Sequence, residues 1–217
     1  MKILIISSNL IGDTILSTGV VNYFHEKYPH AKFTFLVGPS AGQIYNNFPA
    51  KEKIILVKKQ KFNLHWLTMY SKVSKINWDI VIDFRSSFIF YFLDKKKKYI
   101  FKKNKNLNHL DQLKKFFNID KLSLFVETSK IEEIEVNRLI DKNYKYIVLF
   151  PGGNWKPKVW PIHFFNKLVF LLTNEYSNLK FIIVGSSEER KLYLESIKKN
   201  IPTQIFIDLM GKSLTLT

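Results

Sequence analysis

Apolar positions along the chain alternate between two spacings. Ile3 to Ile6 is an unbroken apolar run of mostly β-branched residues, the pattern of a strand buried on both faces. Asn9 to Gly12 reads as a turn. Thr14 to Tyr28 has helical spacing, with Ile15, Val20, Tyr23 and Phe24 roughly on one side, and Pro29 ends it because proline cannot continue the backbone ladder. Phe33 to Val37 predicts a second strand, closed by Gly38-Pro39-Ser40. Ala41 to Phe48 predicts a short helix, Ile54 to Val57 a third strand, Leu64 to Ile76 a helix and Ile80 to Asp83 a fourth strand.

The middle of the chain is less regular. Phe88 to Leu93, a run of lysines and Asn104 to Asn108 read as an irregular basic segment, followed by a helix over Leu110 to Phe117. Ile131 to Ile140 predicts an acidic helix carrying Glu132, Glu133 and Glu135. A second set of elements begins at Tyr146. It comprises a strand over Ile147 to Phe150, a loop at Pro151-Gly152-Gly153-Asn154, a helix over His163 to Tyr176 and a strand over Phe181 to Val184. A turn at Gly185-Ser186-Ser187, a helix opening with Ser187 to Arg190 and a last strand over Thr203 to Asp208 complete it.

Alternation of this kind implies βαβ units and parallel sheets, hence an α/β fold. Right-handed crossovers then place ligand sites at the carboxyl ends of the strands. The pattern divides into a Rossmann-like domain over residues 1–130, a connector over 131–145 and a second α/β domain over 146–217. One βαβα unit plus a strand is about half of a doubly wound domain, so the second domain is expected to be incomplete.

Composition narrows the chemistry. At 46% hydrophobic and 24% charged residues, the 217-residue chain is globular rather than disordered. With no cysteine, a disulfide scaffold, a thiolate zinc site and a Cys nucleophile are excluded. The five histidines form no metal-ligand spacing, and no metal or cofactor is expected. The apolar run after Met1-Lys2 is too short for a signal peptide, and Phe88 to Leu93 is far short of the roughly 20 residues of a spanning helix. A cytoplasmic protein is expected, with a peripheral place at the inner membrane face as its furthest extension.

Charge sharpens the picture. The formal net charge is +16, and Lys95 to Lys115, with nine Lys and one Asp, carries +8 of it. Lys51 to Lys61, with five Lys and one Glu, adds +4. Such a field favours anionic partners, and equally fits a solvated basic surface. Weak, salt-sensitive binding to DNA follows from the charge alone. Without zinc-finger spacing, a helix-turn-helix pattern or an RNP-like strand, no specific nucleic-acid partner is expected.

Two segments carry candidate chemistry. In Ser7-Ser8-Asn9-Leu10-Ile11-Gly12-Asp13, a strand runs through a Gly-containing turn into a helix start, where backbone N–H groups suit an anionic or hydroxyl-rich ligand. Asp13 there is either a helix cap or a carboxylate able to take a proton from a substrate hydroxyl. The dinucleotide-binding G-x-G-x-x-G pattern is absent. In Pro151-Gly152-Gly153-Asn154-Trp155-Lys156-Pro157-Lys158-Val159-Trp160-Pro161, two glycines let the backbone approach a ligand and Lys156 and Lys158 offer point charges to a phosphate. The alternative is a loop with tryptophans packed on the core and lysines in solvent.

Taken in order, these segments resemble glycosyltransferase family nine, the lipopolysaccharide heptosyltransferase group. The resemblance rests on Leu10-Ile11-Gly12-Asp13, Tyr28-Pro29, Gly38-Pro39, Trp78-Asp79-Ile80-Val81-Ile82-Asp83, Lys158-Val159-Trp160-Pro161, Gly185-Ser186-Ser187-Glu188-Glu189 and Asp208-Leu209-Met210-Gly211-Lys212. It implies a GT-B architecture, two facing Rossmann-like domains with the active site in the cleft. The first domain takes a lipid-linked, anionic saccharide acceptor and the second a nucleotide-sugar such as ADP-heptose. Transfer is implied to be inverting and metal-independent. The resemblance makes Asp13, beside Gly12, the base, and brings Lys158 to the donor phosphates in a loop with Gly152, Gly153, Asn154 and Trp160. It also gives the lysine run a motive: Lys95 to Lys105, next to Phe88, Phe90, Tyr91 and Phe92, could meet an anionic membrane, the alternative being that these aromatics are core.

The chain departs from the family in two ways. Gly153 and Asn154 stand where hydroxyl residues often precede the lysine. An Asp-Ser-Gly-x-x-His segment of the family has no counterpart before Thr217. The expectation is therefore a relative truncated in its second domain, either active or acting as a non-catalytic acceptor-binding module.

Overall fold

A computed structural model describes residues 1–58, 65–104, 106–153 and 155–212. The chain forms two compact units, Met1–Glu132 and a second from Glu133 onward.

The first unit is built on a parallel sheet. Its strands are β1 (Lys2–Ile6), β2 (Lys32–Val37), β3 (Lys51–Leu56), β4 (Trp78–Asp83) and β5 (Lys95–Ile100), in the spatial order β3-β2-β1-β4-β5. β1 lies at the centre, with Ile5 opposite Phe35 of β2 and Ile82 of β4. Because side chains alternate across a strand, the continuous run Ile3–Ile6 feeds two cores. Ile3 and Ile5 pack with Phe33, Phe35, Ile80 and Ile82 beneath α1 (Ile11–Lys27) and α4 (His109–Phe117), through Val20, Val21, Phe24, Leu113 and Phe117. Leu4 and Ile6 pack on the other face with Leu36, Val81, Trp78 and α3 (His65–Val73), through Met69 and Val73.

The second unit has a three-stranded parallel sheet, β6 (Lys145–Leu149), β7 (Leu179–Ile183) and β8 (Phe206–Asp208), in that spatial order. α5 (Lys130–Leu139) precedes it in the chain. Leu149, Leu179, Phe181 and Ile183 form its core with Val169 of α6 (Ile162–Glu175) and Leu194 and Ile197 of α7 (Ser187–Lys198). Both sheets are those of an α/β fold.

Several elements differ from their sequence expectations. α1 starts at Ile11, three residues before the expected Thr14, and its buried side includes Thr14, Ser17 and Thr18. Ser17 and Thr18 donate their hydroxyls to the carbonyls of Thr14 and Ile15, so polar residues sit in the core satisfied and blur the apolar stripe. The segment after Gly38 is one α turn, α2 (Pro39–Gly42), continued by a 3₁₀ turn at Gln43–Tyr45. Part of the expected irregular basic segment is instead regular: a 3₁₀ turn at Phe88–Phe92 leads into β5, which pairs in parallel with β4 from Trp78↔Lys95 to Asp83↔Ile100, whereas the described residues of 104–108 form no helix or strand. The last strand is shorter than expected, since Thr203–Ile205 is a 3₁₀ turn. The expected helix start at Leu64 lies outside the described residues.

Candidate functional site

Within the first unit, polar side chains gather at the carboxyl ends of β1, β4 and β5. β1 delivers Ser7, fully buried, whose N–H donates to the Leu36 carbonyl at 2.9 Å and whose hydroxyl lies 3.3 Å from the Tyr45 hydroxyl. Burial pushes the Tyr45 phenol up to about 12, so it stays a neutral hydrogen-bonding group under the loop. Ser8 Oγ then accepts the Leu10 N–H at 3.1 Å and closes the turn into α1. Gly38 lies directly against this turn: a Cβ there would stand 2.9 Å from the Asn9 Cα.

Asp13 is the third residue of α1. The cap position is Leu10, which makes no side-chain cap bond, so Asp13 is not the N-cap. Its carboxylate instead receives Lys103 Nζ on both oxygens, at 2.9 and 3.1 Å. A carboxylate in the first helical turn also meets the positive end of the helix dipole. A Cβ at Gly12 would meet nothing within 4 Å, so this side of the turn is open.

Three groups here were not anticipated from sequence. Asp83 ends β4 fully buried and accepts from the Arg85 N–H (2.8 Å), the Ser87 N–H (2.6 Å) and the Ser87 hydroxyl (2.8 Å). Burial raises its pKa, against the opposing pull of those bonds. Arg85 reaches across to the Asn9 side-chain oxygen at 3.3 Å, tying the end of β4 to the Asp13 turn. Lys103 follows β5 on a loop held by Gln112, which accepts the Asn104 N–H at 2.6 Å and donates to the Asn104 and Leu107 carbonyls. His109, at the start of α4, senses both charges. Its pKa is lowered first by burial and then by Lys103, with Asp13 opposing.

The second unit also gathers its loops at the carboxyl ends of its strands. Glu189 closes a capping box at the start of α7: it accepts the Ser186 N–H at 2.7 Å while its own N–H donates to Ser186 Oγ at 3.2 Å. Its carboxylate occupies the space a side chain at Gly152 would need, since a Cβ there would lie 1.6 Å from Glu189 Oε1. Gly211, at φ +73°, donates its N–H to the Gly185 carbonyl at 2.8 Å, and Arg190 pairs with Asp208 at 2.9 Å. The loops after β6 and β7 therefore meet at Glu189, and the loop after β8 is bonded to Gly185 beside it. Gly152→Ala is expected to expel Glu189 from the capping box and cost about 1–2 kcal/mol in urea unfolding. An unchanged midpoint would mean the loop yields freely.

The lysine loop leads into α6. Lys156–Lys158 forms a 3₁₀ turn, and Lys158 Nζ sits 5.2 Å over the Trp155 ring. Lys158 is exposed and Trp155 is 60% exposed, a pair open to solvent. Trp160, 44% exposed, stacks on Phe164 at 5.6 Å and lies edge-on to Phe165 at 4.9 Å. Gly153 is exposed, and Asn154 lies outside the described residues. Among the described residues, no group of three or more His, Asp or Glu is placed to hold a metal ion.

The chain matches no protein-family model. It is 27% identical over 194 residues to lipooligosaccharide heptosyltransferase 2 of Campylobacter jejuni subsp. jejuni serotype O:6, a match covering 83% of this chain and 60% of the relative. The same enzyme of serotype O:2 matches at 27% over 194 residues, with 59% of its length covered. The chain thus spans about 60% of the length of the curated relatives it matches. Among solved structures, the glycosyl transferase family 9 protein of Veillonella parvula DSM 2008 superimposes with a TM-score of 0.79 at 16% identity, over 97% of this chain and 69% of that one. E. coli heptosyltransferase WaaC with ADP gives 0.73 at 15% identity, over 100% and 76%. The fold is therefore that of the GT-B-like heptosyltransferases, over part of their length.

Proposed function

We infer that this chain is a glycosyltransferase of the family-nine heptosyltransferase type, moving a heptose from a nucleotide-sugar to a saccharide acceptor of the lipopolysaccharide core. The observation that carries the reading is the 194-residue sequence match to lipooligosaccharide heptosyltransferase 2. The structures of E. coli heptosyltransferase with ADP and with ADP-2-deoxy-2-fluoro heptose, which share its fold, support an ADP-linked donor.

The chemistry assigned to the residues is a single displacement without a metal. An acceptor hydroxyl gives its proton to the Asp13 carboxylate, and its oxygen bonds to the anomeric carbon from the face opposite the leaving group. The bond from that carbon to the diphosphate oxygen breaks, and ADP departs with the electron pair. The product is inverted. Lys158 meets the negative charge that grows on the diphosphate, and the Gly152-Gly153 loop, with Asn154 and Trp160 in the same segment, borders it. The first unit serves the acceptor and the second the donor.

Titration with ADP by calorimetry tests the donor assignment. Saturable binding is expected, weakened about tenfold or more in Lys158→Ala, since a hydrogen bond to a charged group contributes about 1.5–3 kcal/mol. Equal affinity in both proteins would remove Lys158 from the donor phosphates.

Contact with an anionic membrane belongs to the same reading. No helix among the described residues is long and apolar enough to cross a membrane. Phe88, Tyr91 and Phe92 are 69, 64 and 57% exposed, next in the chain to β5 with its exposed Lys96, Lys97 and Lys98. Exposed aromatics beside lysines suit a headgroup layer better than a core. Sedimentation with vesicles containing phosphatidylglycerol is expected, with little on pure phosphatidylcholine and a clear loss in Phe88→Ser/Tyr91→Ser/Phe92→Ser. Equal sedimentation with both lipids would contradict a charge-dependent contact.

A further inference from the structure

The Lys103 pair poses a chemical problem for the proposed base. Both oxygens of Asp13 accept from one ammonium, whereas a base must present an oxygen to the hydroxyl it deprotonates. The two residues lie 90 positions apart and come together only because β1 and β5 end on the same side of the sheet. The contact is not a buried structural bridge: the side chains are 51% and 29% exposed. A pair this exposed is weak and readily exchanged for another partner. The loop carrying Lys103 is itself fixed, by Gln112 on Asn104 and Leu107. The backbone of Lys103 therefore stays near Asp13 even when its side chain turns away.

We propose that Lys103 exchanges anions during turnover, leaving the Asp13 carboxylate for an oxyanion of the acceptor and thereby freeing the base. This rests on Asp13 being the base. The ligand chemistry is a phosphate or carboxylate carried by the acceptor within one lysine side chain's reach of the hydroxyl that reacts. An acceptor without that oxyanion leaves Lys103 on Asp13 and is used poorly. The pair thus couples recognition of an anionic acceptor to release of the base, and Lys103 acts as a positioning and specificity residue rather than as a reacting group.

The test uses the full chain and inorganic phosphate as the probe, read by ¹⁵N spectra of the lysine ammonium groups, with Lys103 assigned from its loss in Lys103→Met. Phosphate is expected to shift the Lys103 signal, and Asp13→Asn to tighten that binding about threefold to fivefold, because an internal competitor has been removed. Equal phosphate affinity at Lys103 with and without the Asp13 charge, or a Lys103 signal that phosphate leaves unmoved, overturns the exchange. The kinetic arm uses the same proteins. Lys103→Met is expected to raise KM for the acceptor at least about tenfold with kcat retained, and Lys103→Arg to restore most of it. A fall in kcat with KM unchanged would make Lys103 a support for Asp13 alone. A rise in KM for the nucleotide-sugar instead would assign the anion to the donor. Either result defeats the proposal. Transfer that survives in Asp13→Asn defeats the base assignment separately, while the phosphate titration still reads the exchange.

Discussion

Asp13→Asn is expected to lower transfer about a thousandfold and to leave the protein folded. The amide has the shape of the carboxylate but cannot accept the hydroxyl proton, and a positioned general base is worth about 10²–10⁴ in rate. The cost to the fold is small for a physical reason. The Lys103 pair is solvent-exposed and such pairs contribute about 0–1 kcal/mol. The carboxylate's position in the first turn of α1 adds about 0.3–1 kcal/mol through the helix dipole. Melting within a few degrees of the parent, together with near-complete loss of rate, is the expected pair of results. A rate within threefold of the parent would take the base assignment away from Asp13.

Asp83→Ala is expected to have the largest effect on stability, about 2–4 kcal/mol in urea unfolding. Two opposing terms decide its sign. Burial raises the carboxyl's pKa, so the charged form is carried at a cost. A raised carboxyl pKa means stability that is present below the ordinary carboxylate value and declines as pH rises through the folded one. Removing the group relieves that cost. It also strips the acceptor from two backbone N–H groups and one hydroxyl, with Ser87 only 4% exposed. Leaving a buried donor unsatisfied costs about 1–3 kcal/mol each, so the orphaned donors win. Asp83→Asn keeps one acceptor and is expected to fall between. The damage should spread to function, because the same turn presents Arg85 to Asn9. A loss below about 0.5 kcal/mol would mean the turn at 83–87 re-pairs its donors with water.

Legibility in the sequence depended on where each signal lies. β1 and β4 were readable because both faces are buried and the chain answers with the apolar runs Ile3–Ile6 and Ile80–Ile82. β5 was not, because it is an edge strand and four of its six residues are lysine. Charges on an edge strand keep other chains from pairing with it, at the expense of the apolar pattern. The start of α1 was obscured by Gly12, because Asn9 to Gly12 reads as a turn while the helix already begins at Ile11. In the candidate site, glycine turns and strand ends picked out the segments of Asp13 and Lys158 as candidates, while the roles given to these residues came from the family resemblance. Lys103 was not picked out, since it meets Asp13 from 90 positions away and sits in a run of lysines that differ only in three dimensions. Asp83 did leave a trace: a carboxylate directly after the apolar run Ile80–Ile82. The glutamate under Gly152 left a weaker one, in the Ser186-x-x-Glu189 capping pattern.

The most direct test of the account is to incubate the 217-residue chain with ADP-heptose and a heptose-deficient lipopolysaccharide core acceptor, and to read the acceptor by mass spectrometry. The predicted result is a mass gain of one heptose with matching release of ADP, inverted at the anomeric carbon and lost in Asp13→Asn. An acceptor that gains nothing, with a folded chain that also leaves ADP unbound, would contradict a glycosyltransferase.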